Sequence, residues 1–86
     1  MDITSLIGKN VIVRTVTNYY TGSLVSCAEY LHLEDAAWIA DTGRFATALA
    51  TGKLSEIEPY PADCWVAAGS VVDISEWRHE LPRTQK

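Results

Sequence analysis

The sequence predicts a small, mostly β domain built from short antiparallel strands with two short helices. Its 86 residues, 48% of them hydrophobic, are enough for one compact core and too few for a second domain. The first half contains three runs of strand-forming residues joined by turn signals. The second half contains two short apolar runs that meet at Gly69. These features indicate an antiparallel meander followed by a short strand pair.

The N-terminal part predicts a short helix and then a strand. Residues 2–7 favour the helix, because Asp2 can cap its first turn and its apolar side chains fall on one face. Gly8 ends this helix. Residues 10–17 are dense in β-branched side chains, which predicts the first strand.

Two further strands complete the predicted meander. Residues 22–27 form the second strand and residues 30–39 the third. In the third strand, leucines alternate with Tyr30 and His32. Because side chains alternate across a strand, we expect Tyr30 and His32 to face away from the core.

The middle of the chain differs in character. Residues 44–52 favour a short helix with Gly52 at its C-cap, although two threonines leave a strand as the alternative. Residues 54–61 contain two prolines, which lack the N–H that a central strand needs, so a connector is predicted there.

The C-terminal part predicts two short strands and a tail. Residues 65–74 form the strands on either side of Gly69, and Trp77 closes the apolar pattern. Residues 78–86 are predicted to be a polar tail.

The charge of the chain is concentrated in one region. The net charge is −4 and the isoelectric point about 4.9, which argues against duplex DNA binding through general charge. Residues 34–63 contain six acidic and two basic residues, a balance of −4, whereas the flanking regions are neutral. Any nucleic-acid site must therefore be local.

The N-terminus and the two cysteines indicate the cellular compartment and bear on whether the protein binds a metal. The N-terminus lacks the positive charge of a signal peptide and no apolar run is long enough for a membrane span, so a cytoplasmic protein without a membrane partner is expected. Cys27 and Cys64 are far apart in the sequence and have only two histidines to join them at a metal. We therefore expect two reduced cysteines, no metal and no cofactor.

Two motifs resemble those of the Sm-like (LSm) family. Residues 7–14, 21–25 and 31–36 look like the first Sm motif, and residues 66–74 look like the second. The resemblance implies a small, strongly bent five-stranded antiparallel barrel of the SH3 type. The combination of these motifs with the inserted helix is similar to Sm-like proteins from phages and bacteria. This resemblance implies that the protein occurs in a bacterial or phage-infected cell.

The resemblance also implies the layout of a single domain over residues 1–86. The first Sm-like motif covers residues 10–40 and the second covers residues 64–77. An insertion with the short helix, residues 41–63, separates them.

Family members form rings of commonly about five to seven copies, in which strand edges of neighbouring subunits pair. Many bind single-stranded RNA at the central pore. The resemblance therefore implies self-association and single-stranded RNA as partners. This chain departs from the usual base pocket: its loop between the second and third strands has no asparagine, and Ala68 stands where an arginine usually precedes Gly69.

Candidate site residues follow from these expectations. The candidates for RNA binding are Tyr30, His32 and Arg44. Tyr30 and His32 face away from the core, and a ring would place one Arg44 per subunit in a circle of positive charge. For the subunit interface, the candidates are tryptophans and members of the second apolar stretch: Trp38, Trp65, Val66, Val71, Val72 and Trp77.

An enzymatic function is not expected. The chain has no nucleophile elbow and no glycine-rich phosphate loop. Glu34 and Asp35 are neighbours in a strand, so they point to opposite faces and cannot act as a carboxylate pair. Two functions stay open: a ring that binds single-stranded RNA, and a structural or protein-interaction ring that contacts its partner through the acidic residues 34–63.

Overall fold

Strand-forming runs and glycine-containing turns divide residues 3–86 into nine short elements. The computed structural model describes residues 3–86. The strands are β1 (Asn10–Thr15), β2 (Tyr19–Cys27), β3 (Tyr30–Asp41), β4 (Glu56–Pro59), β5 (Cys64–Ala67) and β6 (Val71–Glu76). The helices are a 3-10 helix at Ile3–Leu6, the α-helix α1 (Phe45–Thr51) and a 3-10 helix at Ala68–Ser70.

All six strands belong to one antiparallel sheet. Its order is β4-β3-β2-β1-β6, and β5 pairs with the first part of β3. The prediction of a mostly β, antiparallel domain is confirmed. The predicted five strands become six, and the sheet is not closed into a barrel. It stays open between β5 and β6, which are joined by a 3-10 helix instead of backbone pairing.

The strand β3 pairs with two strands along the same edge. Its first residues pair with β5 and its last residues pair with β4, while β2 pairs along most of its other side. Between these two parts the register with β2 shifts, and Asp35 adopts a positive φ of 51°. This local irregularity separates the two halves of β3.

Two hydrophobic clusters fill the two faces of the sheet. Val11 and Val13 belong to the first core, whereas Ile12 between them belongs to the second. Since neighbouring side chains on a strand point to opposite faces, the cores lie on opposite sides of β1. The first core contains Val11, Val13, Leu24, Leu31, Leu33, Ala36, Cys64 and Val66. The second contains Ile12, Ala37, Ile39, Ala48, Leu54, Ile57 and Trp77.

The helix α1 covers the second core. Its Ala48 is buried there, and Phe45 and Leu49 pack beside it. Gly52 ends the helix with a φ of 78°, and its N–H donates to the carbonyl of Ala48 at 2.8 Å. The predicted helix over residues 44–52 is confirmed, and the alternative of a strand is wrong.

Two other expectations for the helical and connecting segments need correction. The N-terminal segment forms a 3-10 helix over Ile3–Leu6, and its predicted cap Asp2 lies outside the described residues. Residues 54–61, predicted to be a connector, contain β4, which pairs with β3. Proline is compatible with this strand because β4 lies at the end of the strand order and Pro59 is its last residue.

The C-terminal residues lie against the domain. Trp77 is buried in the second core, and its indole N–H donates to the carbonyl of Glu80 at 3.0 Å. Lys86 exchanges two backbone hydrogen bonds with Ile57 of β4, at 2.9 and 3.0 Å. The segment predicted to be a polar tail therefore occupies part of the outer edge of β4.

No helix within residues 3–86 has the length and apolar character needed to cross a membrane.

The close approach of β2 to β3 gives a test of this fold. A Cβ atom on Gly22 would lie 3.0 Å from the Cβ of Leu33 and 3.2 Å from the carbonyl oxygen of Glu34. We expect Gly22→Ala to lower the free energy of unfolding by about 1–3 kcal/mol, because this pair of strands cannot make room without shifting. Urea denaturation measures the change.

Gly69→Ala is the matched control. A Cβ atom on Gly69 meets nothing within 4 Å, so this variant should change the free energy of unfolding by less than about 0.5 kcal/mol. Equal stability of the two variants would contradict the role of Gly22.

Candidate functional site

Three aromatic side chains form an exposed surface at the start of β3. Tyr30 and His32 lie on the same side of β3, and the register pairs His32 with Trp65 of β5. The imidazole of His32 stacks on the indole of Trp65, with ring centroids 4.4 Å apart and an interplanar angle of 12°. We call Tyr30, His32 and Trp65 the aromatic face.

The aromatic face is exposed because the neighbouring residues fill the first core. Leu31 and Val66 point into that core, so the side chains that alternate with them point to the opposite side of the sheet. Tyr30 is 55% exposed and Trp65 is 58% exposed. The second core lies on the same face of the sheet as Tyr30 and Trp65, next to the last residues of β3. There, α1 and the C-terminal residues cover the sheet.

Carboxylates border the aromatic face. The Oδ2 atom of Asp63 lies 2.8 Å from Nε2 of His32, which fixes the imidazole against the indole. Glu34 follows His32 on the same side of β3 and is exposed. Between Arg14 and Arg44, and again between Lys53 and Arg78, the sequence contains no lysine or arginine. The strands β2, β3 and β5 therefore carry no lysine or arginine.

The outer edge of β5 runs alongside the aromatic face. The N–H of Ala68 donates to the carbonyl of Glu29 at 2.9 Å, so the backbone of residue 68 points toward β3. By the alternation of antiparallel pairing, the backbone groups of Trp65 and Ala67 point away from β3. The hydroxyl of Ser70 caps the Ala67 carbonyl at 2.7 Å.

The outer edge of β6 is the second open edge of the sheet. The N–H of Trp77 donates to the carbonyl of Asn10 in β1 at 2.7 Å. The same alternation then directs the backbone groups of Ile74 and Glu76 away from β1. Within residues 3–86, no strand pairs with the outer edge of β5 or β6.

The structure separates the candidate RNA-binding residues. Tyr30 and His32 lie together at the start of β3, whereas Arg44 follows the end of β3 and immediately precedes α1. There Arg44 lines a depression together with Lys53 and Lys86. The aromatic and cationic candidates therefore lie at opposite ends of β3.

The candidate interface residues also fall into two groups. Trp38, Trp65 and Val72 are exposed, at 38%, 58% and 56%. Val66 and Trp77 are buried in the two cores of the domain, and Val71 is half-buried against the first core. Burial of Val66 and Trp77 within the chain leaves them little surface for a neighbouring subunit.

The Tyr60 hydroxyl and the Cys64 thiol, at the first core, are held in their neutral forms. Burial raises the pKa of Tyr60 to about 12, and the nearby Cys64 and Tyr20 add to this effect. Burial also raises the pKa of the Cys64 thiol. Cys27 and Cys64 are both free thiols. A buried, protonated Cys64 therefore acts as part of the first core.

Sequence reasoning places Tyr30 and His32 on the outer surface of β3, but it does not find their partners. Trp65 is expected at a subunit interface, and Asp63 is not singled out. The register between β3 and β5 brings both to His32. The available signal was an aromatic residue close to an acidic residue at each of two predicted strands. The sequence near each strand does not show that the two strands pair with each other. Within residues 3–86, no three His, Cys, Asp or Glu side chains are grouped as metal ligands.

Comparison of the chain with models of known protein families gives no match, and comparison with curated protein sequences gives none either.

The contact between His32 and Asp63 gives a test of how the aromatic face is held. The two side chains are 20% and 41% exposed, so solvent screens their interaction. In a double-mutant cycle of His32→Ala and Asp63→Asn, we expect a coupling energy below about 1 kcal/mol in urea denaturation. The pair would then orient the indole while contributing little to global stability. A coupling energy of about 3 kcal/mol would indicate a structural ion pair instead.

Proposed function

We propose that this chain is a non-enzymatic, Sm-like interaction module that assembles with copies of itself into a ring. The observation that carries the proposal is the pair of open strand edges on β5 and β6. Each edge directs backbone N–H and C=O groups outward, and on β5 the Ala67 carbonyl is already bonded to the Ser70 hydroxyl. Such edges are templates for pairing with another chain.

The two edges favour a head-to-tail contact. They belong to different strands, so β5 of one copy can pair with β6 of the next, and each copy keeps one edge for a further neighbour. A contact of this kind repeats from copy to copy, and it forms a ring when the rotation between neighbouring copies closes on itself. The exposed Val72 on β6 supplies apolar surface to be buried next to the paired backbones.

The remaining sheet edge is less suited to assembly. Ile57 of β4 already exchanges backbone hydrogen bonds with Lys86, and Arg83 donates to the carbonyl of Tyr60 at 3.0 Å. These contacts occupy the edge that a neighbouring strand would need. The ring therefore uses β5 and β6.

The charge distribution favours a protein partner over RNA for this ring. Single-stranded RNA needs cationic groups for its phosphates near the rings on which its bases stack. Glu34 and Asp63 border the aromatic face instead, and Arg44 lies at the other end of β3. The structural or protein-interaction ring is therefore the function we propose.

The proposed contact is tested by a proline on the edge of β5. Ala67 has a φ of −60°, which proline adopts without strain, and its N–H points away from β3. Ala67→Pro should therefore leave the protomer folded and remove one hydrogen bond from the contact. We expect the dissociation constant of the assembly to rise on the order of tenfold, measured by light scattering against protein concentration.

Ala67→Ser keeps the backbone N–H and is the matched control, with the wild-type mass expected. The protomer mass is 9.5 kDa. Wild-type protein that scatters as a single protomer at micromolar concentration would contradict the ring. So would an Ala67→Pro variant that assembles as well as Ala67→Ser.

A separate titration tests the choice between protein and RNA. We expect labelled oligo-U and oligo-A to show no change in fluorescence anisotropy with low-micromolar protein at moderate salt, because the aromatic face lacks cations for the phosphates. Saturable binding of either oligonucleotide, weakened by Trp65→Leu, would assign the aromatic face to RNA and contradict this part of the proposal.

A further inference from the structure

We propose that the aromatic face, together with Glu34 and Asp63, is a docking surface for an arginine-rich segment of another protein. This goes beyond the proposed ring, because it concerns side chains on the face of the sheet and not the backbone edges. The argument rests on exposure, preorganisation and charge.

The exposed rings are more than isolated apolar residues on a surface. Tyr30 and Trp65 lie on adjacent strands, opposite Ala67 and His32 in the register, and each is more than half exposed. Exposed apolar side chains scattered singly are ordinary, whereas neighbouring aromatic rings within a polar border are typical of binding surfaces. The aromatic face therefore offers contact area that the chain itself does not use.

The indole of Trp65 is held in place before any partner arrives. The stack on His32 covers one side of the indole, and Asp63 in turn holds the imidazole at 2.8 Å. A side chain that is already ordered loses little conformational entropy on binding. This arrangement leaves the exposed surface of the indole as a defined platform.

The charge of the surface selects a cationic partner. Glu34 lies on the same side of β3 as His32, and Asp63 precedes β5 beside it. No lysine or arginine is present in β2, β3 or β5 to neutralise these carboxylates. A segment that brings positive charge meets complementary potential here, whereas an acidic segment or a phosphate backbone meets repulsion.

Arginine fits the combination better than lysine does. A planar guanidinium can stack on an aromatic ring while its N–H groups donate to a neighbouring carboxylate. The aromatic face places exposed rings and carboxylates next to one another, which matches both properties. Lysine has the charge but not the planar group.

The test compares two short fluorescein-labelled peptides, one of alternating glycine and arginine and one of alternating glycine and lysine. In fluorescence anisotropy at moderate salt, we expect the arginine peptide to bind several-fold more tightly than the lysine peptide, because only guanidinium stacks. Trp65→Leu should weaken binding of the arginine peptide on the order of tenfold. Equal affinity for the two peptides would overturn the proposal.

Paired charge variants separate the docking surface from the general acidity of the chain. Glu34→Gln with Asp63→Asn should weaken binding on the order of tenfold. Glu56→Gln with Glu80→Gln removes the same number of charges from exposed positions elsewhere, and should weaken it by less than about twofold. An equal loss in both pairs would overturn the proposal.

Light scattering on each variant keeps the docking surface distinct from the ring. We expect Trp65→Leu and both charge pairs to keep the wild-type mass. We expect the Ala67→Pro variant to assemble more weakly, on the order of tenfold as above, and to keep its affinity for the arginine peptide. Loss of peptide binding in Ala67→Pro, with the protomer still folded, would place the binding surface on the assembled edge and overturn this proposal without affecting the proposed ring.

Discussion

The pairing of β3 with two partners on one side is the constraint on which the rest of the structure depends. Its first residues hold β5 and its last residues hold β4, with a register shift and the positive φ of Asp35 between them. Gly22 allows β2 to follow this irregular region, because a Cβ atom there would lie 3.0 Å from Leu33. This close approach lets β2 pair with both halves of β3, and the two cores form on the two faces of the same sheet.

The two cores explain why one end of the sheet stays uncovered. Within residues 3–86, the seven-residue helix α1 and the C-terminal residues cover half of one side of the sheet, the half that contains Ile39. The other half of the same side carries Tyr30, His32 and Trp65. Exposure of the aromatic face thus follows from where α1 lies, and not from a lack of apolar side chains.

The sequence predicts local structure better than long-range pairing. Alternation in residues 30–33 places Tyr30 and His32 outward, and Gly52 marks the end of α1. Two features depend on pairing between distant segments and could not be found locally. β4 forms by pairing with β3 at the edge of the sheet, where Pro59 is tolerated. Trp65 contacts His32 because the register between β3 and β5 places it there. The C-terminal residues are polar in composition, but backbone hydrogen bonds hold Lys86 against Ile57.

The strand β5 offers two separate surfaces for recognition. Its edge presents backbone groups, which can pair with a strand edge of another copy. Its face presents the side chain of Trp65 beside His32 and Asp63, and side chains are what distinguish one partner from another. If both proposals hold, a ring repeats the aromatic face once per copy. A partner with several arginine-rich segments would then bind several faces at once, and its avidity would exceed the modest affinity of each exposed site.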